Sequence, residues 1–289
     1  LRKPSFGQLS KEMLWADIIF ENNPCVRMSW PNFLFRKPLI TGLQTWIGGS
    51  NSKLGKADEF KKWWINRSDA LIACSLAIKN QVSSRAVVID NPYDDKTFVK
   101  LDIQKTIDFV FLGRLVSDKG ASMAVKAFDL YRKRTNSLNS RLTIIGDGEE
   151  KNTLISEVKS LGLEDIVDFK GNMKGAELVQ LLNRHRFMLV PSLWDEPFGI
   201  VVLEGMACGC IPIVSDGGGL PDAVGNAGLT FKKGDLNNMV DVMVKLKDSP
   251  GLESELKAAS VTHLADHKVS VVAQRYLTVF EDVLNNLRD

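Results

Sequence analysis

The sequence predicts an α/β protein built on parallel sheet and divided into two units. From about residue 107, short and nearly continuous apolar stretches alternate with helix-like ones, the pattern of βαβ units whose sheet is covered on both faces. At 289 residues the chain exceeds the roughly 100–200 residues of an ordinary domain. Charge is also divided. Residues 1–106 carry 16 Lys and Arg against 10 Asp and Glu, and the remainder carries 21 against 25, beneath a net charge of only +2. A basic first third and an acidic remainder fit two units with different partners.

With 44% hydrophobic and 25% charged residues, disordered, collagenous and low-complexity classes are excluded. The longest apolar stretch, GIVVLEGMACGCIPIV, is interrupted by Glu204. It falls short of the roughly 20 apolar residues that a membrane-spanning helix requires. With no signal-like segment at the start, the expected location is cytoplasmic.

In the first unit, residues 1–104, a helix is predicted at 8–16 and strands at 17–21 and 38–43. A helix at 57–66 and strands at 70–74 and 86–90 follow, closed by the turn NPYDD at 91–95. The chain starts with Leu, so this unit is expected to be partial. In the second unit, 105–268, strands are predicted at 108–113, 141–146, 166–171, 187–192 and 211–216. Helices fall at about 120–134, 149–161, 175–183, 198–208, 235–247 and 251–265. The last segment, 269–289, has a helix at about 269–287 with an apolar stripe at helical spacing (Val271, Val272, Tyr276, Val279, Phe280, Val283, Leu284) and is expected to pack back on the first unit.

Some residues promise little chemistry. Cys25, Cys74, Cys208 and Cys210 lack a disulfide or zinc spacing and read as reduced, small apolar residues. His263 and His267 share a helix face without a third ligand. His185, between two arginines, reads as a surface residue. Asp147 and Glu149 read as caps of the next helix rather than as a metal site.

Sites in parallel sheets lie beyond the carboxyl ends of the strands, and the unusual residues stand there. Gly113 ends the strand at 108–113, Arg114 follows it, and Lys119 comes a few residues on, before a helix start. Two cations beside backbone N–H groups suit a phosphate-bearing ligand; the alternative is a solvated loop. GDGEE at 146–150 does not complete G-x-G-x-x-G, which removes the best marker of a hydride-transfer enzyme. In WDEPFGIVVLEG, Pro197 suits a first helical position, which makes Glu196 the expected cap and exposes the N–H groups of Phe198, Gly199 and Ile200. A helix between Glu196 and Glu204 would separate them by roughly 12 Å along its axis. That exceeds the roughly 5–9.5 Å of a glycosidase pair and suits the two ends of one elongated ligand. Glu204, in an otherwise apolar helix, needs either that ligand or an internal salt bridge.

GRLVSDKG, IIGDGEE, VPSLWDEPFGIVVLEGMACG and PIVSDGGGLPDAV, in this order, resemble the nucleotide-binding half of the retaining glycosyltransferases of family 4. The resemblance covers about residues 65–245 and includes NPYDDKTF, similar to that family's interdomain linker. Its most specific element is the pair of glutamates with seven residues between them. The resemblance implies a GT-B fold, two Rossmann-like domains facing across a cleft, and a metal-independent, retaining hexosyltransferase. Arg114 and Lys119 would bind the diphosphate and Glu204 the ribose. Glu196, with the backbone of Phe198, Gly199 and Ile200, would hold the donor sugar and phosphates, and Met173 would meet the base.

Three departures stand out. The family's opening strand and Gly-rich loop are absent, Gln44 stands where His is frequent, and Asp222 stands where Glu is usual. Gln44 could touch a sugar but cannot act as a base. The expected partners are a nucleotide-sugar donor and a sugar or lipid-linked acceptor, with no cofactor, no metal and no nucleic acid. The expected setting is bacterial polysaccharide, lipopolysaccharide or glycolipid synthesis. The basic, Trp-rich first part, with Lys61, Lys62, Trp63 and Trp64, is expected to reach a membrane surface; the alternative is ordinary packing of a half-buried helix. The alternatives are a nucleotide-sugar-binding module without activity and a sugar-nucleotide epimerase of similar fold.

Overall fold

A computed structural model describes residues 5–48, 55–249 and 251–286. The chain forms two compact units. One runs through Asn91 and resumes at Ser270; the other runs from Pro92 to Val269.

The first unit opens with helix α1 (Phe6–Trp15), capped by Ser5, whose hydroxyl accepts from the Gln8 N–H. Strand β1 (Ile19–Asn22) follows, then the single turns α2 (Val26–Ser29) and α3 (Asn32–Phe35), β2 (Leu39–Leu43) and α4 (Lys56–Ile65). Next come β3 (Ala70–Ala73), α5 (Leu76–Val82), capped by Ser75, and β4 (Val87–Val88). The four strands pair in parallel, in the order β1-β2-β3-β4. Central β2 is buried along its whole length, whereas edge strand β1 is mostly open. On α4, Trp63 is half exposed, but Trp64 is only 4% exposed and its indole N–H donates to Ser29 Oγ. Lys62 Nζ is bound to the Gln81 carbonyl. Of the four residues expected at a membrane surface, Trp64 therefore turns into the core and Lys62 onto a backbone carbonyl, while Lys61 and Trp63 stay exposed.

The second unit begins with β5 (Ile107–Leu112), a 3-10 turn at Ser117–Lys119 and α6 (Ala121–Thr135). It continues through β6 (Leu142–Ile145), α7 (Lys151–Ser160), β7 (Val167–Gly171), α8 (Gly175–Asn183) and β8 (His185–Val190). Then come α9 (Ile200–Ala207), β9 (Ile211–Ser215), α10 (Leu220–Val224), β10 (Leu229–Phe231), α11 (Leu236–Asp248) and α12 (Leu252–Asp266). Its six parallel strands lie in the order β10-β9-β8-β5-β6-β7. The chain winds outward from β5 through β6 to β7, returns to the other side of β5 as β8, and winds outward again. β5 and β8 therefore flank the switch point. Every residue of β6 and β9 is buried, as apolar strands covered on both faces must be. In the core, the Phe109 ring lies 5.0 to 5.9 Å from those of Tyr131, Phe187 and Phe128.

Residues 92–104, expected in the first unit, belong to the second. The Leu101 N–H donates to Asn183 Oδ1, and Asn183 Nδ2 donates to the Val99 carbonyl. The last helix, α13 (Val269–Asn285), places Val272 and Val283 against Ile40, Ile72 and Ile89 of the first unit. Among the described residues, no helix is long and apolar enough to cross a membrane.

His185 is a correction. It is fully buried, with Nδ1 2.7 Å from the Leu181 carbonyl and Nε2 2.8 Å from Thr143 Oγ1. Burial pushes its pKa down to about 4. Arg186, the next residue of β8, faces the opposite side of the strand, and Arg184 closes α8.

Candidate functional site

Within the second unit, the segments after β5 and β8 interlock at the switch point. The N–H groups of Leu193 and Trp194 donate to the Asp118 carbonyl at 2.8 and 3.1 Å, tying the loop after β8 to the turn after β5. Gly120 makes that approach feasible. Its φ is +73°, and a Cβ there would lie 2.0 Å from the Pro191 carbonyl oxygen. Gly146, at φ +141°, allows a similar approach to the Gly113 carbonyl, where a Cβ would sit 1.8 Å away. Glycines thus bring the loops after β5, β6 and β8 into contact.

Lys119 projects from this turn. Its ammonium pairs with Glu196 Oε1 and lies 5.1 Å from the Trp194 ring centroid. The two side chains are 18% and 14% exposed. Ser192 Oγ is 3.1 Å from Glu196 Oε1 and also within reach of the Asp118 and Trp194 carbonyls. Arg114, on the same segment, is exposed and has no ion pair among the described residues.

Glu196 is not a helix cap, contrary to expectation. α9 starts at Ile200 and its N-cap is Gly199, at φ +111°. A Cβ on Gly199 would meet Leu220 Cδ2 at 2.5 Å, so the chain turns here in a conformation reserved for glycine. Residues 196–199 are therefore not helical, and the 12 Å axial spacing between the glutamates does not apply. Pro197 precedes the helix instead of opening it. Phe198 is buried and its ring stacks on His267 at 6.0 Å, while Ile200 is 41% exposed.

Glu204 stands on α9, one turn beyond Ile200. It is half buried, and no cation pairs with it among the described residues. Burial raises its pKa, and the Asp94 carboxylate raises it further. The internal salt bridge is thus absent, and a carboxylate stays desolvated beside another negative charge. Met173 lies between β7 and α8, two strands from β5, and is half buried. Gln44 belongs to the first unit. Its backbone N–H donates to Asn23 Oδ1 and its side-chain amide nitrogen to Tyr276 OH.

Asp147 does not cap α7. It accepts from the Gly148 N–H and pairs with Lys151 at 3.1 Å, and these contacts hold its pKa below the usual carboxylate range. The His263 and His267 rings lie 4.4 Å apart, and no metal-holding group of three or more His, Cys, Asp or Glu exists among the described residues. All four cysteines are free thiols.

Sequence reasoning singled out the motifs that contain Ser192, Trp194 and the SDGGG loop after β9 but gave these supports of the site no role. In that loop the Gly219 N–H donates to the Glu196 carbonyl at 2.7 Å, and a Cβ on Gly218 would lie 2.3 Å from the same oxygen. Lys233 pairs with Asp195, and its N–H donates to Asp216 Oδ1. Three consecutive glycines after a strand were the signal for that loop.

Comparison with known proteins bears on this arrangement. The family model described as Glycosyl transferases group 1 matches residues 94–261. A glycogen synthase of Mycobacterium tuberculosis is 29% identical over 217 residues, covering 71% of this chain and 51% of that protein. An N-acetyl-alpha-D-glucosaminyl L-malate synthase of Bacillus anthracis is 25% identical over 266 residues, covering 86% and 68%. A D-inositol 3-phosphate glycosyltransferase of an Arthrobacter species is 30% identical, covering 53% and 37%. The chain thus spans between 37% and 68% of the length of these curated relatives. Among solved structures, Anabaena Alr3699/HepE in complex with UDP superposes with a TM-score of 0.81 at 19% identity, covering 96% of this chain and 82% of that one. Sucrose-phosphate synthase from Thermosynechococcus elongatus gives 0.76 at 18%, covering 97% and 79%. These likenesses show the fold, GT-B with Rossmann-like parallel sheets. The match over more than half the chain, centred on the unit whose loops interlock at the switch point, places this protein among the group 1 glycosyl transferases.

Proposed function

We propose that the chain moves a sugar from a nucleoside diphosphate sugar to an acceptor hydroxyl, with retention at the anomeric carbon and without a metal. One observation carries this reading: Arg114 and Lys119 follow β5 while Glu196 and Glu204 follow β8, the two strands that flank the switch point. Arg114 and Lys119 take the diphosphate. An ammonium has three donors, so Lys119 can keep Glu196 on one and offer the others to phosphate oxygens. Glu204 accepts from the ribose hydroxyls, which relieves a carboxylate that otherwise stays desolvated without a cation. Glu196 and the backbone at 198–200 face the sugar and phosphates, and Met173 the base.

In the proposed step the bond from C1 of the sugar to the diphosphate oxygen breaks, and the bond from C1 to the acceptor oxygen forms on the same face. The departing diphosphate takes the acceptor proton, so no protein base is required. Fixed cations that neutralise charge developing on the leaving group lower the barrier most in that step. The complexes of Alr3699/HepE with UDP and with UDP-glucose support a nucleotide-sugar donor for this chain. The proposed setting is polysaccharide, lipopolysaccharide or glycolipid synthesis.

The test is incubation with a panel of labelled nucleoside diphosphate sugars and bacterial lipid extract, with the product anomer read by NMR. Label on an acceptor with the donor's anomeric configuration is expected. An isomerised donor would make the protein an epimerase, and binding without turnover a binding module; either outcome overturns the proposal, as does an inverted product.

A further inference from the structure

The first unit holds a cavity of about 320 Å³ that the reading above does not use. Arg36, Lys37 and Arg67 line it, together with Phe33 and the buried Trp64. None of these three cations has an ion pair among the described residues. The carboxylate in the lining, Asp69, accepts from the Leu39 N–H at 2.8 Å. Leu39 opens β2 and Asp69 precedes β3, so the cavity lies at the amino ends of the strands. Gln44 stands past the opposite, carboxyl end of β2, where ligands of such sheets bind. The cavity is therefore a second site within this unit.

Its rim is aromatic and exposed. The Arg67 guanidinium lies 4.1 Å from the Phe33 ring centroid and 5.4 Å from that of Trp63. Phe60 stacks on Trp63 at 5.5 Å. Phe33, Phe60 and Trp63 are 44%, 50% and 51% exposed, and Leu34 beside them 67%. A soluble phosphate ester has no use for that apolar rim, whereas at a bilayer surface the rings and Leu34 enter the interfacial layer while the cations meet phosphates. We propose that this face docks on an anionic membrane, with a lipid headgroup phosphate seated among Arg36, Lys37 and Arg67. The inference is independent of sugar transfer and survives or fails without it.

The experiment is co-sedimentation of the chain with vesicles of phosphatidylcholine alone and of phosphatidylcholine with phosphatidylglycerol. The expected result is binding to the anionic vesicles only. Each basic residue near such a surface contributes about fivefold, so Arg36→Gln with Lys37→Gln should weaken partitioning roughly 25-fold. Neither side chain is in the core, and circular dichroism should confirm an intact fold. Trp63→Ala should weaken binding as well. Equal binding to neutral vesicles, or unchanged binding by the double variant, overturns the proposal. Glycerol 3-phosphate provides the second arm: if it binds without vesicles and displaces them, the site belongs to a soluble phosphate ester and the membrane assignment fails.

Discussion

At the scale of single residues, the most informative side chain is Glu204. A carboxylate held by an internal salt bridge loses stability when neutralised, but this one has burial and Asp94 against it. Glu204→Gln should therefore leave the melting temperature unchanged or raise it. The same substitution should weaken donor binding about tenfold to a hundredfold, since a hydrogen bond to a charged group contributes roughly 1.5–3 kcal/mol. Calorimetry of the variant and a donor titration check the two halves. His185 gives a prediction of a different kind. Its folded pKa of about 4 lies below the unfolded value of 6.5, so the unfolded chain binds the extra proton between those pH values. Its contribution is fully present above about pH 6.5 and is lost as the pH falls toward 4, up to about 3 kcal/mol. Urea midpoints at pH 7 and pH 4.5 should show that loss, and His185→Gln should reduce the pH dependence, whatever it does to stability at pH 7.

At the scale of elements, the glycines decide which loops touch. With φ at +73° and the Pro191 carbonyl in the place of a Cβ, Gly120→Ala must push the turn after β5 away from the end of β8. A loss of about 2 kcal/mol or more in stability is expected, together with weaker donor binding, because Lys119 rides on that turn. Chemical denaturation and the donor titration measure both. Most elements were legible in the sequence because their apolar runs are unbroken. The elements it missed, α2, α3, α5, α10 and β10, run from three to seven residues, too short for periodicity to show. The start of α9 was misplaced because Pro197 gives a strong local signal. The winning constraint, the fit of Gly199 against Leu220, comes from a residue 21 positions away that no local pattern reports.

For the whole molecule, the order of the strands explains why the chemistry gathers where it does. Arg114, Lys119, Glu196 and Glu204 were legible as unusual residues after strands. What sequence could not supply was that β8 returns to the side of β5, which brings Lys119 onto Glu196. The same gap hid the inward turn of Trp64 and the burial of His185, both of which depend on neighbours distant in sequence. The basic first third also has a local focus that its composition does not show: Arg36, Lys37 and Arg67 line one cavity, whereas on α4 Lys61 pairs with Asp58 and Lys62 binds the Gln81 carbonyl.

The central claim is that Arg114 and Lys119 together bind a nucleoside diphosphate beyond β5 and β8. Isothermal titration of UDP and the other nucleoside diphosphates in EDTA, with the wild-type chain and the variant carrying Arg114→Ala and Lys119→Ala, measures it directly. Removing two charge-assisted contacts should weaken binding of the preferred diphosphate by at least about a hundredfold; the melting temperature should fall as well, because Glu196 loses its cation, and circular dichroism at the titration temperature checks that the fold persists. Binding of equal strength by the two proteins, or no binding of any diphosphate by the wild-type chain, would contradict the account.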